Sequence, residues 1–264
     1  MPFRLLILAA PCALAACSSA DDMADALGTQ QEAAATATAG AEAGGARETE
    51  EENEFYTFAY AWPRQVGAIP ALARQLDQRA VQAKAELSQT TRAEKDEFAN
   101  DGIEFRPHSY RMEWRVVADT PRFLSLSGDF ATYSGGAHGM YGLESLVWDR
   151  EAGAAVDGAA MFAGLDRALG RRLCDALNAE RAQRRGAPVA PGSDDTFDQC
   201  PGTDEATVLV GSTNGRTFDR IGIWYGPYVA GAYAEGAYEL DFPVHARVLA
   251  AVKPEYRSAF GSAR

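Results

Sequence analysis

Positive charge is scarce in this chain of 264 residues. Its 25 Lys and Arg stand against 37 Asp and Glu, a formal net charge of −12. Broad nucleic-acid binding by counterion release needs a basic surface, so that class is excluded. No apolar run reaches the ~18 residues of a membrane-spanning helix. Histidine is rare: His108, His138 and His245 are the whole set, and they share no close spacing. Any metal site would have to be assembled from distant segments with carboxylates. There is no Gly-x-Ser-x-Gly nucleophile elbow and no Gly-x-x-x-x-Gly-Lys phosphate loop. No repeat with a period of roughly 20–50 residues is present either. What is there is a hydrophobic content of 47% with 23% charged residues, which excludes wholesale disorder. The length allows one large or two small domains.

The N-terminus reads as an address. Arg4 supplies a positive start, and Leu5 to Ala13 form an apolar stretch too short to span a bilayer. Leu14-Ala15-Ala16-Cys17 resembles the bacterial lipobox. That resemblance implies removal of residues 1–16 and acylation of Cys17, giving the two or more chains that stable anchoring needs. Ser18, rather than Asp, follows the cysteine. By the sorting rule of Gram-negative lipoproteins this implies the outer membrane, with the protein facing the periplasm. The alternative is an ordinary cleavable signal with a chance cysteine.

Of four cysteines, Cys12 then leaves with the signal and Cys17 is acylated. Cys174 and Cys200 remain as a pair in an oxidising compartment, and a disulfide is expected between them. Two buried thiols are the alternative. No second ligand pair sits at zinc-finger spacing, so no metal is expected.

Residues 17–53 read as a lipidated cysteine followed by a disordered, acidic, Ala-rich tether. From residue 18 to 53 there are eleven alanines, nine acids, one base and no aromatic residue. Such a segment cannot bury enough apolar surface to offset its ordering entropy. Glu48-Thr49-Glu50-Glu51-Glu52 reads as a solvated, self-repelling charge run. Residues 54–264 hold 28 acids against 23 bases, so most of the acidity sits on the tether.

The folded part starts near Glu54. Phe55 to Trp62 is aromatic-rich and suits a strand closed by Pro63. Ile69, Leu72, Leu76, Ala80, Ala83 and Leu87 fall on one face of a helix from about Pro70 to Phe98. Tyr110, Met112, Trp114 and Val116 alternate with charged residues, the pattern of a half-buried strand. Arg122 to Tyr133 and Leu143 to Asp149 are two more. Leu165, Leu169, Leu173 and Leu177 recur every four residues and predict a second helix, with the basic run Arg181 to Arg185 favouring its C-terminal dipole. Strands resume at Ala206 to Gly211, Thr217 to Tyr225 and Ala237 to Phe242, with Asn214-Gly215 as a hairpin signal. Short helices are expected near His245 to Val252 and Pro254 to Phe260. The order β-α-ββ-β-α-βββ-α predicts an α+β fold: antiparallel sheets with helices packed on one face, in two sequential sub-domains.

Two runs stand out. Tyr133-Ser134-Gly135-Gly136-Ala137-His138-Gly139 sets three glycines around a histidine. Tyr228-Val229-Ala230-Gly231-Ala232-Tyr233-Ala234-Glu235-Gly236 precedes Glu239-Leu240-Asp241-Phe242-Pro243. Together they resemble an envelope family of unknown molecular function. That family occurs in the extracytoplasmic region of the anti-sigma factor RsiV and the N-terminal part of the peptidoglycan deacetylase PdaC. The resemblance covers about residues 54–260. It implies a PdaC/RsiV-like domain over 54–140 and an RsiV-like domain over 141–264. It does not carry over anti-sigma activity, because neither a sigma-binding segment nor a transmembrane helix is recognisable. Nor does it carry over deacetylation: Thr196-Phe197-Asp198 begins a deacetylase-like motif, but Gln199 stands where a second aspartate is needed, and no paired histidines follow.

The candidate ligand-binding residues are therefore Tyr133, Gly135, Gly136, His138, Gly139, Tyr228 and Tyr233. His138 suits either a backbone-bonding turn residue or a general base partnered by Asp129 or Glu144. Trp224, Tyr225, Tyr228 and Tyr233 suit either sugar stacking or core packing. No catalytic residue and no cofactor is assigned. The expectation is a periplasm-facing lipoprotein that binds or senses peptidoglycan or a lysozyme-like protein without catalysis. The alternative is a small envelope hydrolase using His138.

Overall fold

The computed structural model describes residues 44–263. The expected signal peptide, Cys12, Cys17 and the tether up to residue 43 lie outside the described residues. Among the described residues no helix is long and apolar enough to cross a membrane.

A six-stranded sheet, ordered as in the chain, comes first: β1 (Arg47–Glu52), β2 (Tyr56–Trp62), β3 (His108–Asp119), β4 (Phe123–Tyr133), β5 (Met140–Asp149) and β6 (Ala154–Val156). β1 corrects the tether boundary. The acidic run pairs antiparallel with β2 along its whole length, Arg47 opposite Trp62 and Glu52 opposite Thr57. Composition pointed to coil, but alternation allows a charged edge strand, a common guard against sheet-to-sheet aggregation. The inward-leaning acid is not free. Glu51 takes Lys84 at 3.1 Å and the Tyr56 hydroxyl at 2.5 Å. These donors hold its carboxyl below the usual range.

After β2 come a short helix α1 (Arg64–Gly67) and the long helix α2 (Pro70–Asp101). Pro70 starts α2, and Gly102 ends it in a left-handed conformation (φ 69°) with its N–H bonded to the Phe98 carbonyl. The helix forces the one departure from antiparallel pairing. β2 and β3 are parallel, because a connection this long returns the chain to the same end of the sheet. Tyr56, Phe58, Tyr60 and Trp62 of β2 join Met112 and Trp114 of β3 on the face that Leu72 and Leu76 of α2 cover. The polar C-terminal half of α2 is held differently. Lys95 pairs with Glu54 at 2.6 Å, Arg92 and Lys95 lie over the Phe55 ring, and Glu94 reaches His108 at 3.0 Å.

The second sheet is antiparallel: β7 (Thr207–Gly211), β8 (Arg220–Tyr225) and β9 (Tyr238–Pro243). The predicted second helix is two, α3 (Leu165–Leu169) and α4 (Arg171–Arg185). Gly170 breaks it at φ 57°, ψ −140°, a backbone that only glycine adopts freely. α5 (Ala246–Ala251) follows β9, with the His245 side chain accepting the Arg247 N–H as its cap. The Asn214-Gly215 signal marks a longer loop than a two-residue hairpin. Nearly buried Asp219 gathers Thr213 and Asn214 inside it.

The second core also takes Ala118, Phe123 and Val147 from the large sheet. Phe123 to Gly128 is therefore buried at every position rather than at alternate ones. A register shift between Val116 and Ala118 turns β3 toward this second core. The predicted α+β class with two sub-domains holds, but the division at 140/141 does not. Residues 134–139 are a hairpin loop between β4 and β5, and the first sheet continues to Val156. A glycine-rich six-residue loop looks like a linker when strand pairing is not visible.

Gly158 sits between Val208 of β7 and Ser145 of β5. A Cβ there would lie 2.1 Å from the Val208 carbonyl oxygen, a backbone atom that cannot swing aside, and 2.8 Å from Ser145 Oγ. Gly158→Ala is expected to destabilise the protein by about 2–3 kcal/mol. Thermal unfolding checks this, and an unchanged midpoint would show that the sheets are not locked together here.

Candidate functional site

The Ser134–Gly139 loop is shaped by two of its glycines. Gly135 is left-handed (φ 78°), and a Cβ on Gly139 would lie 2.8 Å from the Thr132 carbonyl oxygen of the opposite strand. Gly136 has open space around it. The loop lifts His138 into solvent. Its Nδ1 lies 2.9 Å from the Gly139 carbonyl oxygen, which can only accept, so Nδ1 is the donor in this contact.

The second sequence run meets this loop from the other sub-domain. The Tyr233 ring stacks on His138 with centroids 4.1 Å apart and planes at 26°. Its hydroxyl donates to the same Gly139 carbonyl at 2.7 Å. The Tyr228 ring lies 5.6 Å from Tyr233, and its hydroxyl is 3.4 Å from His138 Nε2. Tyr141 supports the stack edge-on against both Tyr233 and Trp224, and its hydroxyl accepts the Ala237 N–H. Tyr228 is the one non-glycine residue with positive φ (69°) among the described residues, and its side chain remains 49% exposed.

Helix α4 holds this aromatic loop in place. Arg181, fully buried, donates to the Ala230 carbonyl at 2.9 Å and to the Gln199 and Asp198 carbonyls at 2.8 and 3.2 Å. Burial pushes its pKa down. Arg184 donates to the carbonyls of Glu235 and Ala237 and lies over the Tyr238 ring at 4.2 Å. Arg185 bridges Glu235 (2.7 Å) and Asp198 (2.5 Å). Burial alone would raise the Glu235 pKa, but Arg185, the Tyr238 hydroxyl and the Ala232 N–H overcome it and hold the carboxyl low. The expected disulfide joins Cys174 of α4 to Cys200, with Cα atoms 5.4 Å apart, and pins the segment whose Asp198 and Gln199 carbonyls Arg181 holds.

The structure thus unites His138, Gly139, Tyr228 and Tyr233. It separates Tyr133, which ends β4 at the mouth of a cleft on the α2 side of the sheet. Asp129 pairs with Arg115 and Glu144 with Arg79, so neither partners His138. The three histidines occupy three different places, and no group of His, Cys, Asp or Glu suited to a metal occurs among the described residues. Thr196-Phe197-Asp198 is a single 3₁₀ turn whose aspartate is held by Arg185 and Ser193. Tyr225 is core, with its hydroxyl on the Pro201 carbonyl, whereas Trp224 belongs to the aromatic cluster. Sequence reasoning missed Tyr141 and assigned the arginines of α4 only to the helix dipole. The close spacing of Arg181, Arg184 and Arg185 on the last turns was the available signal.

Residues 49–141 match the family model described as Deacetylase PdaC. The match takes in most of β1 and the whole Gly-Gly-Ala-His-Gly loop, so this part of the chain is similar to the PdaC family, in line with the motif resemblance. A DUF3298 family protein from Pseudomonas aeruginosa PAO1 is similar in structure. It is 18% identical, with 83% of this chain and 97% of that one covered at a TM-score of 0.47. A DUF3298 family member from Bacteroides fragilis is 14% identical, with 75% and 88% covered at a TM-score of 0.46. Among curated proteins nothing matches the chain.

Proposed function

We propose that this chain, with its PdaC-like region, is a non-catalytic binding module of the bacterial cell envelope. In this reading Cys17 carries the lipid anchor in the outer membrane, and the domain faces the periplasm and docks its ligand on the His138–Tyr228–Tyr233 patch. One observation carries the proposal: two runs some ninety positions apart converge on one solvent-facing aromatic stack. Tyr228 adds to it. A tyrosine in left-handed backbone costs about 1–2 kcal/mol, and a ring left half exposed recovers only part of this by burial. Such strain, found at an exposed aromatic, motivates a functional role. Tyrosine rings with polar edges suit both sugar faces and the anchor points of protein interfaces.

Peptidoglycan is the first ligand class. A basic, lysozyme-like protein is the second, favoured by Glu48, Glu50 and Glu52, which all lie exposed on one side of edge strand β1. The hydrolase alternative has less support. His138 Nδ1 is committed to a carbonyl, and no carboxylate among the described residues orients the ring as a general base requires. The test is retention on purified peptidoglycan and on immobilised lysozyme, alongside a muropeptide-release assay. Retention without release supports the proposal, with His138→Ala weakening retention several-fold. Release of muropeptides that His138→Ala abolishes would overturn it.

A further inference from the structure

Positive charge is unevenly placed in the second sub-domain. Residues 165–175 and 245–257 hold six bases against three acids, although the folded part as a whole is acid-rich. The fold brings these two stretches together. α3 and α5 share one apolar core through Leu165, Leu169, Val248 and Ala251. The flanking backbone is bonded across, Ala163 N–H to the Ala251 carbonyl at 2.7 Å and Lys253 N–H to the Met161 carbonyl at 3.0 Å. Arg171 and Arg172 open α4, and Arg247 opens α5, all three exposed. Arg167 flanks them on α3, and Lys253 follows α5.

These cations lack counter-charges. Arg47, Arg122 and Arg220 each hold a carboxylate, but among the described residues none of these five cations is in an ion pair. Asp166 is taken by the Thr203 N–H and hydroxyl at 2.7 and 2.9 Å. The placement also costs stability. Arg171 and Arg172 sit in the first turn of α4, at the positive end of the helix dipole, and no acid shares that turn. His245 adds a further donor. Its Nδ1 accepts the Arg247 N–H at 3.2 Å, so the ring hydrogen is on Nε2, which has no acceptor among the described residues. Burial, and then the nearby Arg172 and Arg247, hold this ring below the usual histidine range.

We infer that Arg171, Arg172 and Arg247, flanked by Arg167 and Lys253, dock this end of the second sub-domain on an anionic phospholipid bilayer. Cations spread over three helices do not converge on one small anion, whereas a plane of phosphates meets each of them separately. Four of the five are arginines, whose planar fork matches phosphate oxygens. Each base is worth about fivefold in affinity near such a surface. The acidity of the rest of the chain does not cancel this, because exposed charges more than about 8 Å away are largely screened at physiological salt. Docking would also orient the protein. α4 runs about 21 Å from Arg171 to Arg185, and Arg181, Arg184 and Arg185 at its far end hold the aromatic loop. The inference concerns a different surface and rests neither on the reading of the His138 patch nor on acylation of Cys17.

The test is flotation of the full chain with vesicles, using Cys17→Ser throughout so that no acyl chain contributes. The vesicles are phosphatidylcholine alone or mixed with phosphatidylglycerol, at physiological salt. Binding to the mixed vesicles should exceed binding to phosphatidylcholine at least about tenfold. Arg171→Gln/Arg172→Gln/Arg247→Gln should weaken it at least about twentyfold, and Arg172→Gln alone about fivefold. Arg64→Gln/Arg74→Gln/Arg216→Gln removes the same charge from exposed positions elsewhere and should leave binding within about twofold. The first triple variant should melt at or above the parent, because two cations leave the positive end of α4. Equal binding to both vesicle types, an unaffected Arg171/Arg172/Arg247 variant, or equal losses in the two triple variants would each overturn the inference. Retention on immobilised dextran sulfate without vesicle binding would overturn it too, and would assign the face to a soluble polyanion.

Discussion

Replacing Arg181 with methionine will cost the fold about 3–5 kcal/mol, the range for breaking a buried charged network. The guanidinium is fully buried and has no carboxylate in hydrogen-bond contact. Its partners are Asn178 Oδ1 and the carbonyls of Ala230, Asp198 and Gln199, all within 3.2 Å. Methionine fills much of the volume but leaves three carbonyls facing an apolar group, each carrying its own desolvation cost. In a protein of this size, such a loss lowers the melting midpoint by roughly 8–15 °C. Lysine at 181 should recover only part of it, because a point charge cannot serve three carbonyls in a fork. Thermal unfolding of the two variants checks this. A methionine variant within about 2 °C of the parent would mean that the arginine is a passenger.

Removal of the Cys174–Cys200 bridge is the second large effect. The bonded residues are 26 positions apart. A loop of that length gives about 3–4 kcal/mol in the chain-entropy treatment. Cys200 directly follows Asp198 and Gln199, whose carbonyls Arg181 holds. The bridge and the arginine therefore restrain the same short segment from the same helix. The cost of the Cys174→Ser/Cys200→Ser/Arg181→Met combination should fall short of the sum of its parts, as is usual for sites that share partners. Denaturant unfolding of the parent, the two component variants and their combination closes that cycle. Strict additivity would show that helix and loop are held independently.

How much of this was legible in the sequence depended on whether a feature is local. The spacing from Ile69 to Leu87 describes α2 correctly because a helix face is written in neighbouring residues. The alternation from Tyr110 to Val116 describes β3 for the same reason. The disulfide followed from counting cysteines. β1 was not legible: four glutamates and a threonine at a sheet edge look like coil until β2 supplies the ladder. The parallel β2–β3 pair and the extent of the first sheet depend on pairing across long separations, which composition does not carry. The candidate site was half legible. Glycines around His138 and tyrosines around Gly231 marked both runs, but nothing in the spacing brings position 138 to 233. Tyr133 shows the complementary error: it sits in the same run as His138, yet the hairpin sends it to the cleft mouth on the other side.

The central claim is that Tyr228 is held in a costly conformation for a ligand, and Tyr228→Gly tests it most directly. Glycine adopts φ near 69° without penalty and removes a half-exposed ring. The melting midpoint should stay level or rise, with about 1 kcal/mol of backbone strain relieved. Cosedimentation with purified peptidoglycan, and capture on immobilised lysozyme, should together show the parent binding one of them and Tyr228→Gly losing about tenfold or more. A variant that is as stable as the parent and binds as well as the parent would contradict the account.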